Sequence, residues 1–202
     1  MLFINEFGHL INNNYMEIKE QLLAQKYIQE DDRVLELGAR YGTVSCMINS
    51  KLKGKFKKLQ VSVEPDDRVW DALEKNKLSN KCEFNIVKGF ISNKKLELTN
   101  LDECYGGYGA TSIENEESKI PIFKLHEIQR YCYVKSFNVL VADCEGFLGT
   151  FLEENPEIIE RLRLIIFEAD YEDKCDYNKI HKLFLDNGFK CELKGHQNVY
   201  IK

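Results

Sequence analysis

Hydrophobic positions along this chain alternate between two periods. Residues 15 to 28 place Met16, Ile18, Leu22 and Leu23 at helical spacing, and Asp31-Asp32 closes that segment before RVLEL, a short buried strand. After a glycine turn, Val44, Met47, Ile48 and Leu52 recur on one face of a helix. KLQVSVEP reads as a second strand stopping at Pro65, and a helix through Val69, Trp70 and Leu73 runs out near Asn76 and Ser79-Asn80. CEFNIVKGF alternates as a third strand, and KKLELTN gives a further short one.

From Asp102 to Ser118 the periodicity fades. DECYGGYGATSIENEES is glycine-rich, then acidic, and reads as one long loop of the kind that serves as a binding element or lid. IPIFKLHEIQRY follows as a short strand and helix. FNVLVADCEG and LRLIIFEAD are strongly apolar strands ending in acidic residues, with a helix around Phe151 to Glu160 between them. YNKIHKLFLDNGF is a helix stopped at Gly188, and CELKGHQNVYIK closes the chain as a hairpin turning at Gly195-His196-Gln197. Alternating strands and helices predict an α/β fold: a mostly parallel central sheet, helices on both faces and a C-terminal antiparallel hairpin.

No repeat, low-complexity tract or proline-rich linker divides the 202 residues, and the length suits one compact core. The expectation is a single domain over 1–202, with 1–29 as an N-terminal helical extension. Hydrophobic residues at 44% and charged residues at 30% give a globular balance. A net charge of −5 argues against a nucleic-acid partner, whose phosphates demand a basic field. Lys51, Lys53, Lys55, Lys57 and Lys58 read as a solvated loop. Seven cysteines without a CxxC pair fit free thiols in a reducing compartment. The N-terminus lacks the pattern of a signal peptide, and no apolar run nears the roughly 20 residues that span a bilayer. A cytoplasmic protein with no membrane partner is expected; no oligomeric state follows from the pattern.

VLELGARYGT places Gly38 and Gly42 four positions apart, directly after a strand. A triphosphate loop needs lysine and a hydroxyl residue after the second glycine, but Thr43-Val44 stand there. A dinucleotide turn aligned on Gly38 needs glycine at 40 and glycine or alanine at 43, where this chain has Arg40 and Thr43. A nucleoside without phosphates relaxes both demands. It still needs an acidic acceptor for its ribose hydroxyls, and Glu64 ends the second strand.

These segments resemble the S-adenosylmethionine-dependent methyltransferases, and more narrowly the FkbM-type family. VLELGARYGTVS is similar to that family's first motif, VSVEPDDRVWDALEKN to its second, and FNVLVADCEGFLGTFL to its D-x-E-G signature, carried by Asp143, Glu145 and Gly146. RLIIFEAD and NVYIK also match in place and character, so the resemblance spans residues 30 to 202. It implies a Rossmann-like methyltransferase fold, S-adenosylmethionine as cofactor, and methyl transfer to a hydroxyl of a small acceptor, most plausibly a sugar or glycan. The chain departs from the family at Arg40, where a small amide residue is usual, and at Val141, where a lysine is common.

On that resemblance the cofactor contacts are Glu36, Gly38, Ala39, Arg40, Tyr41, Gly42, Glu64, Pro65, Gly89, Phe90 and Asp143. The Gly38-Ala39 turn would meet the methionine end, Glu64 the ribose, and Gly89-Phe90-Ile91 the adenine; plain core is the other reading of Phe90. Asp143, Glu145 and Glu168 are the catalytic candidates, since removal of the acceptor's proton needs a base. Asp143 has a structural alternative as cap of the following helix. Asp143, Glu168 and Asp170 together offer hard oxygen ligands for Mg²⁺, against a preferred metal-free reading in which one carboxylate is the base. Tyr105, Tyr108 and Ser112 are reasonable acceptor contacts. His126 and His181 read as surface or packed residues, and His196 as a turn residue that either faces the active site or, as the commoner case, is solvated. Two other functions stand beside this one: a non-catalytic nucleoside-binding partner subunit, and an NAD-dependent oxidoreductase that Arg40 disfavours.

Overall fold

A computed structural model describes residues 1–12, 16–100 and 108–202. The chain opens with a short hairpin, β1 (Phe3–Ile4) and β2 (Leu10–Ile11), then α1 (Ile18–Tyr27), β3 (Val34–Leu37) and α2 (Thr43–Lys51). β4 (Val61–Glu64), α3 (Trp70–Ser79), β5 (Asn85–Lys88), β6 (Phe90–Ile91), β7 (Leu96–Thr99), β8 (Thr111–Glu114), β9 (Ile122–Phe123) and α4 (Leu125–Tyr131) follow. The remainder is β10 (Val139–Ala142), α5 (Leu148–Glu154), β11 (Leu164–Glu168), α6 (Tyr177–Asp186), β12 (Lys190–Leu193) and β13 (Gln197–Ile201).

Seven strands form the main sheet in the order β12-β13-β11-β10-β3-β4-β5. The inner pairs are parallel, while β13 runs antiparallel to both β11 and β12. This is the expected mostly parallel sheet with a C-terminal antiparallel hairpin. Strands β3, β4 and β10 are buried along their whole length, which is why they read as continuous apolar runs. Alternate residues serve opposite faces: Leu35, Leu37, Leu140 and Ile165 join one core with Phe151 and Phe184, whereas Val34, Val139, Val141 and Ile166 join another with Ile48 and Ala24.

The order reverses between β3 and β10, from which the chain winds outward in both directions. Neighbouring strand ends diverge at such a point and leave a crevice beyond their carboxyl ends. Leu37 is paired with Ala142, so the residues that follow them, Gly38 and Asp143, emerge side by side.

The structure corrects several expectations. Residues 3 to 11 form a hairpin, so the N-terminal extension is helical only from Ile18. On α1 the buried side chains are Glu20, Gln21 and Ala24, while Ile18 and Leu22 face outward. The third strand breaks at Gly89: β5 stays in the main sheet, and β6 pairs with β9 instead. Part of the long loop is strand β8, paired antiparallel to β7; Tyr105 lies outside the described residues. The helix expected over 151–160 begins at Leu148 and stops at Glu154. Pro156 disfavours helical backbone at Asn155, and a separate 3₁₀ turn, Pro156–Ile158, follows. The lysine cluster lies largely within a 3₁₀ helix, Gly54–Leu59. The six cysteines in the described residues are free thiols, and no helix there is long and apolar enough to cross a membrane.

One buried charge ties the amino ends of the strands together. Asp32, fully buried, accepts from the Arg163 guanidinium, from Asn138 Nδ2 at 2.9 Å and from the Gln29 backbone N–H at 2.7 Å. Removing one member of such a pair leaves the others desolvated and unmatched. Asp32→Ala is expected to lower the unfolding free energy by about 3 kcal/mol in urea titrations; a loss below about 1 kcal/mol would contradict this role.

Candidate active site

Gly38 has φ +87°, and a Cβ there would lie 1.7 Å from the backbone oxygen of Asp143. Glycine is therefore required first by the packing of two strand exits against each other, whatever the turn binds. The Gly38 and Ala39 N–H groups both donate to the Val63 carbonyl at 3.0 Å, which ties the turn to β4.

Arg40 is also left-handed, at φ 42°, a conformation costing a non-glycine residue roughly 1–2 kcal/mol. Its N–H donates to Glu64 Oε2 at 2.6 Å, a charge-assisted bond that offsets the strain. The guanidinium lies over the rings of Tyr41 and Tyr108, 4.7 and 4.3 Å from their centroids, and reaches Asp66 at 3.6 Å. Its Nε is buried without a partner.

Glu64 is the centre of this wall. Its other oxygen, Oε1, accepts from the Asp66 N–H at 2.7 Å, and each oxygen keeps a lone pair for a further donor. Burial pushes its pKa up to about 7 against the opposing effect of those two bonds. Glu36, in register with Ser62, accepts from Ser45 at 2.6 Å and Ser62 at 2.5 Å, while its Oε1 has no partner. Burial raises Glu36 to about 7 as well.

Between these walls lies a cleft. Val63, Pro65, Phe90, Ile91, Leu98 and Phe147 give it an apolar side; Glu17, Gly38, Arg40, Glu64, Asp66, Tyr108, Ser112, Asp143 and Glu145 give it a polar one. Phe90 meets both readings made of it, being buried core against Phe147 and cleft wall at once.

The cleft thus gathers Gly38, Arg40, Glu64, Pro65, Phe90 and Asp143, but not the remaining expected contacts. Ala39 turns into a core with Phe3, Cys46, Leu73 and Phe84, and Tyr41 into another with Val69 and Ala72. Gly42 starts α2, where a Cβ would press on Leu73 at 2.7 Å. Gly89 faces the Pro121 carbonyl, and Glu36 lines a smaller chamber beneath the cleft. Sequence reasoning missed Glu17 and Asp66. Glu17, itself left-handed at φ 49°, accepts from the Thr43 hydroxyl at the start of α2 and from Tyr108 at 3.3 Å.

Carboxylates crowd the ends of β10 and β11. Burial, then Glu17 and Glu145, raise the pKa of Asp143 well above the ordinary value. Glu145 is raised by burial and by Asp170, and accepts from the Gly109 N–H at 3.0 Å. Burial and Glu20 push Glu168 up to about 10. The expected metal set is split: Asp143 groups with Glu145 and Asp170, whereas Glu168 groups with Asp170 and His196, the atoms of each group lying within 4.8 Å. His196 is half-exposed, but its ring bridges Glu168 at 3.1 Å and Asp170 at 2.8 Å. Asp143 does not cap the next helix, since α5 starts at Leu148 with no side-chain cap. His126 is exposed, and His181 is packed with its Nδ1 2.6 Å from the Tyr200 hydroxyl.

The sequence matches no family model and no curated protein. The fold has many solved counterparts. Precorrin-6y C5,15-methyltransferase from Geobacter metallireducens is 13% identical, with a TM-score of 0.55 over 95% of this chain and 90% of that one. An O-methyltransferase from Bacillus cereus, solved with S-adenosylhomocysteine (SAH), is 12% identical, with a TM-score of 0.53 over 91% and 79%. Aeropyrum pernix fibrillarin, with natively bound S-adenosylmethionine, is 15% identical, with a TM-score of 0.52 over 96% and 77%. The chain has the Rossmann-like methyltransferase fold.

Both buried carboxyls near 7 hold protons that the unfolded chain, at about 4.5, releases. Their contribution is full below the unfolded value and lost as pH rises through 7. Glu36→Gln removes one such group. Its urea midpoint, relative to the unsubstituted protein, is expected to improve between about pH 5 and about pH 8. A difference independent of pH would contradict the assignment.

Proposed function

We propose that this chain is an S-adenosylmethionine-dependent methyltransferase, and that it methylates a hydroxyl of a small, sugar-like acceptor in the manner of the FkbM-type enzymes. The observation that carries the reading is Glu64: an acceptor fixed by two backbone N–H groups, at the end of β4, facing the cleft beside the Gly38 turn. The cofactors in the Bacillus cereus and Aeropyrum pernix structures lend support.

The cleft's residues fit the cofactor. Glu64 accepts from ribose hydroxyls, and Phe90, Ile91 and Leu98 suit an adenine face. Glu17, Asp143 and Glu145 match the positive charge of the sulfonium and α-ammonium groups. When bound, S-adenosylmethionine supplies a methyl carbon that leaves a sulfonium sulfur as its bond to the acceptor oxygen forms. Asp143 or Glu145 takes the proton lost by that oxygen. Burial raises the pKa of both, which makes each a stronger base once ionised. Mg²⁺ bound by Asp143 and Asp170 is the competing reading, and turnover unchanged by EDTA eliminates it. A nicotinamide dinucleotide is disfavoured because Arg40 stands at the position through which its pyrophosphate would approach.

Titration calorimetry is expected to give heat with S-adenosylmethionine and none with NAD. Glu64→Ala should weaken binding at least tenfold, about 1.4 kcal/mol; no heat with S-adenosylmethionine would overturn the proposal. The predicted product is a hydroxylated acceptor heavier by one CH₂. Of Asp143→Asn and Glu145→Gln, the variant lacking the base is expected to lose about 10²–10⁴ in turnover. Full activity in both would remove the carboxylate base from the account.

A further inference from the structure

Beside the cleft lies a second opening that shares Glu17, Tyr108, Asp143 and Glu145 with it. Its other carboxylates are Glu20, Glu168 and Asp170. Against these six it has two basic side chains, Lys19 and His196, and the His196 ring is already engaged by Glu168 and Asp170. Six carboxyl groups so placed disfavour an anion, and a cation among them favours their ionised forms.

Gln197 shows independently that a donor is wanted. Only 7% exposed, it is held by the pairing of β11 with β13, directly across from Glu168. Its amide NH₂ donates to both Glu20 and Glu168. Gln197 Oε1 is left buried without a donor, on a residue that lines both this basin and the chamber beside it.

Acceptors distributed over floor and walls call for several N–H donors on one positive group, which an ammonium supplies with three. A divalent ion is the competing occupant, since Glu168, Asp170 and His196 present ligand atoms within 4.8 Å of one another.

We propose that the acceptor carries a protonated amine beside its reacting hydroxyl, as in an amino sugar or amino alcohol. The ammonium lies against Glu168, Asp170 and Gln197, and the hydroxyl faces Asp143 and Glu145. This rests on the methyltransferase reading above.

The test uses SAH-loaded protein, titrated with glucosamine and ethanolamine and with their N-acetyl counterparts. At least one amine should bind about tenfold or more tightly than its acetylated partner. That preference should collapse in Glu168→Gln and in Asp170→Asn, each checked by its retained affinity for SAH. Equal binding within each pair, or no binding of either amine by protein that binds SAH, overturns the proposal. So does tight binding of Mn²⁺ with both amines silent, which assigns the basin to an ion. Absence of SAH binding instead removes the methyltransferase reading itself.

Discussion

The approach of β3 to β10 where the sheet reverses direction is the constraint on which the rest depends. Because a Cβ would lie only 1.7 Å from the Asp143 carbonyl oxygen, position 38 admits glycine alone. That contact brings the β3 turn against the end of β10, and the turn's N–H groups reach across to Val63 on β4. Three strand ends are thereby locked into one crevice. Glu64 and Asp143, far apart in the chain, face the same space because of it.

The electrostatics of the crevice follow from this packing. Carboxylates end β4, β10 and β11, and α1 adds Glu17 and Glu20 from above. Burial and mutual repulsion raise the pKa values of Glu17, Asp143, Glu145 and Glu168, the last to about 10. Strained backbone gathers at the same place, since Glu17, Arg40 and Glu145 all adopt left-handed conformations at the cleft. Strain and desolvation of this kind persist where surrounding structure enforces them, and they cluster at functional sites.

Much of this was legible in the sequence, for identifiable reasons. Strands β3, β4, β10 and β11 are buried runs bounded by charged or turn residues, and an acidic residue ending such a run stands out, as Glu64, Asp143 and Glu168 do. The inward turn of Ala39, Tyr41 and Gly42 was hidden, because it depends on α3 and the N-terminal hairpin packing against them. α1 misled in the opposite sense. Periodicity assigns the inward face to Ile18 and Leu22, yet the helix covers a charged crevice and buries Glu20 and Gln21. His196 gave no local signal, since its partners come from β11 and the segment just beyond it.

A crystal structure of the protein grown with SAH tests the central claim most directly. The account predicts the nucleoside in the cleft between the Gly38 turn and Phe90, with its ribose oxygens hydrogen-bonded to the Glu64 carboxylate. SAH bound elsewhere, or in that cleft with Glu64 contacting only the backbone of Arg40 and Asp66, would contradict it.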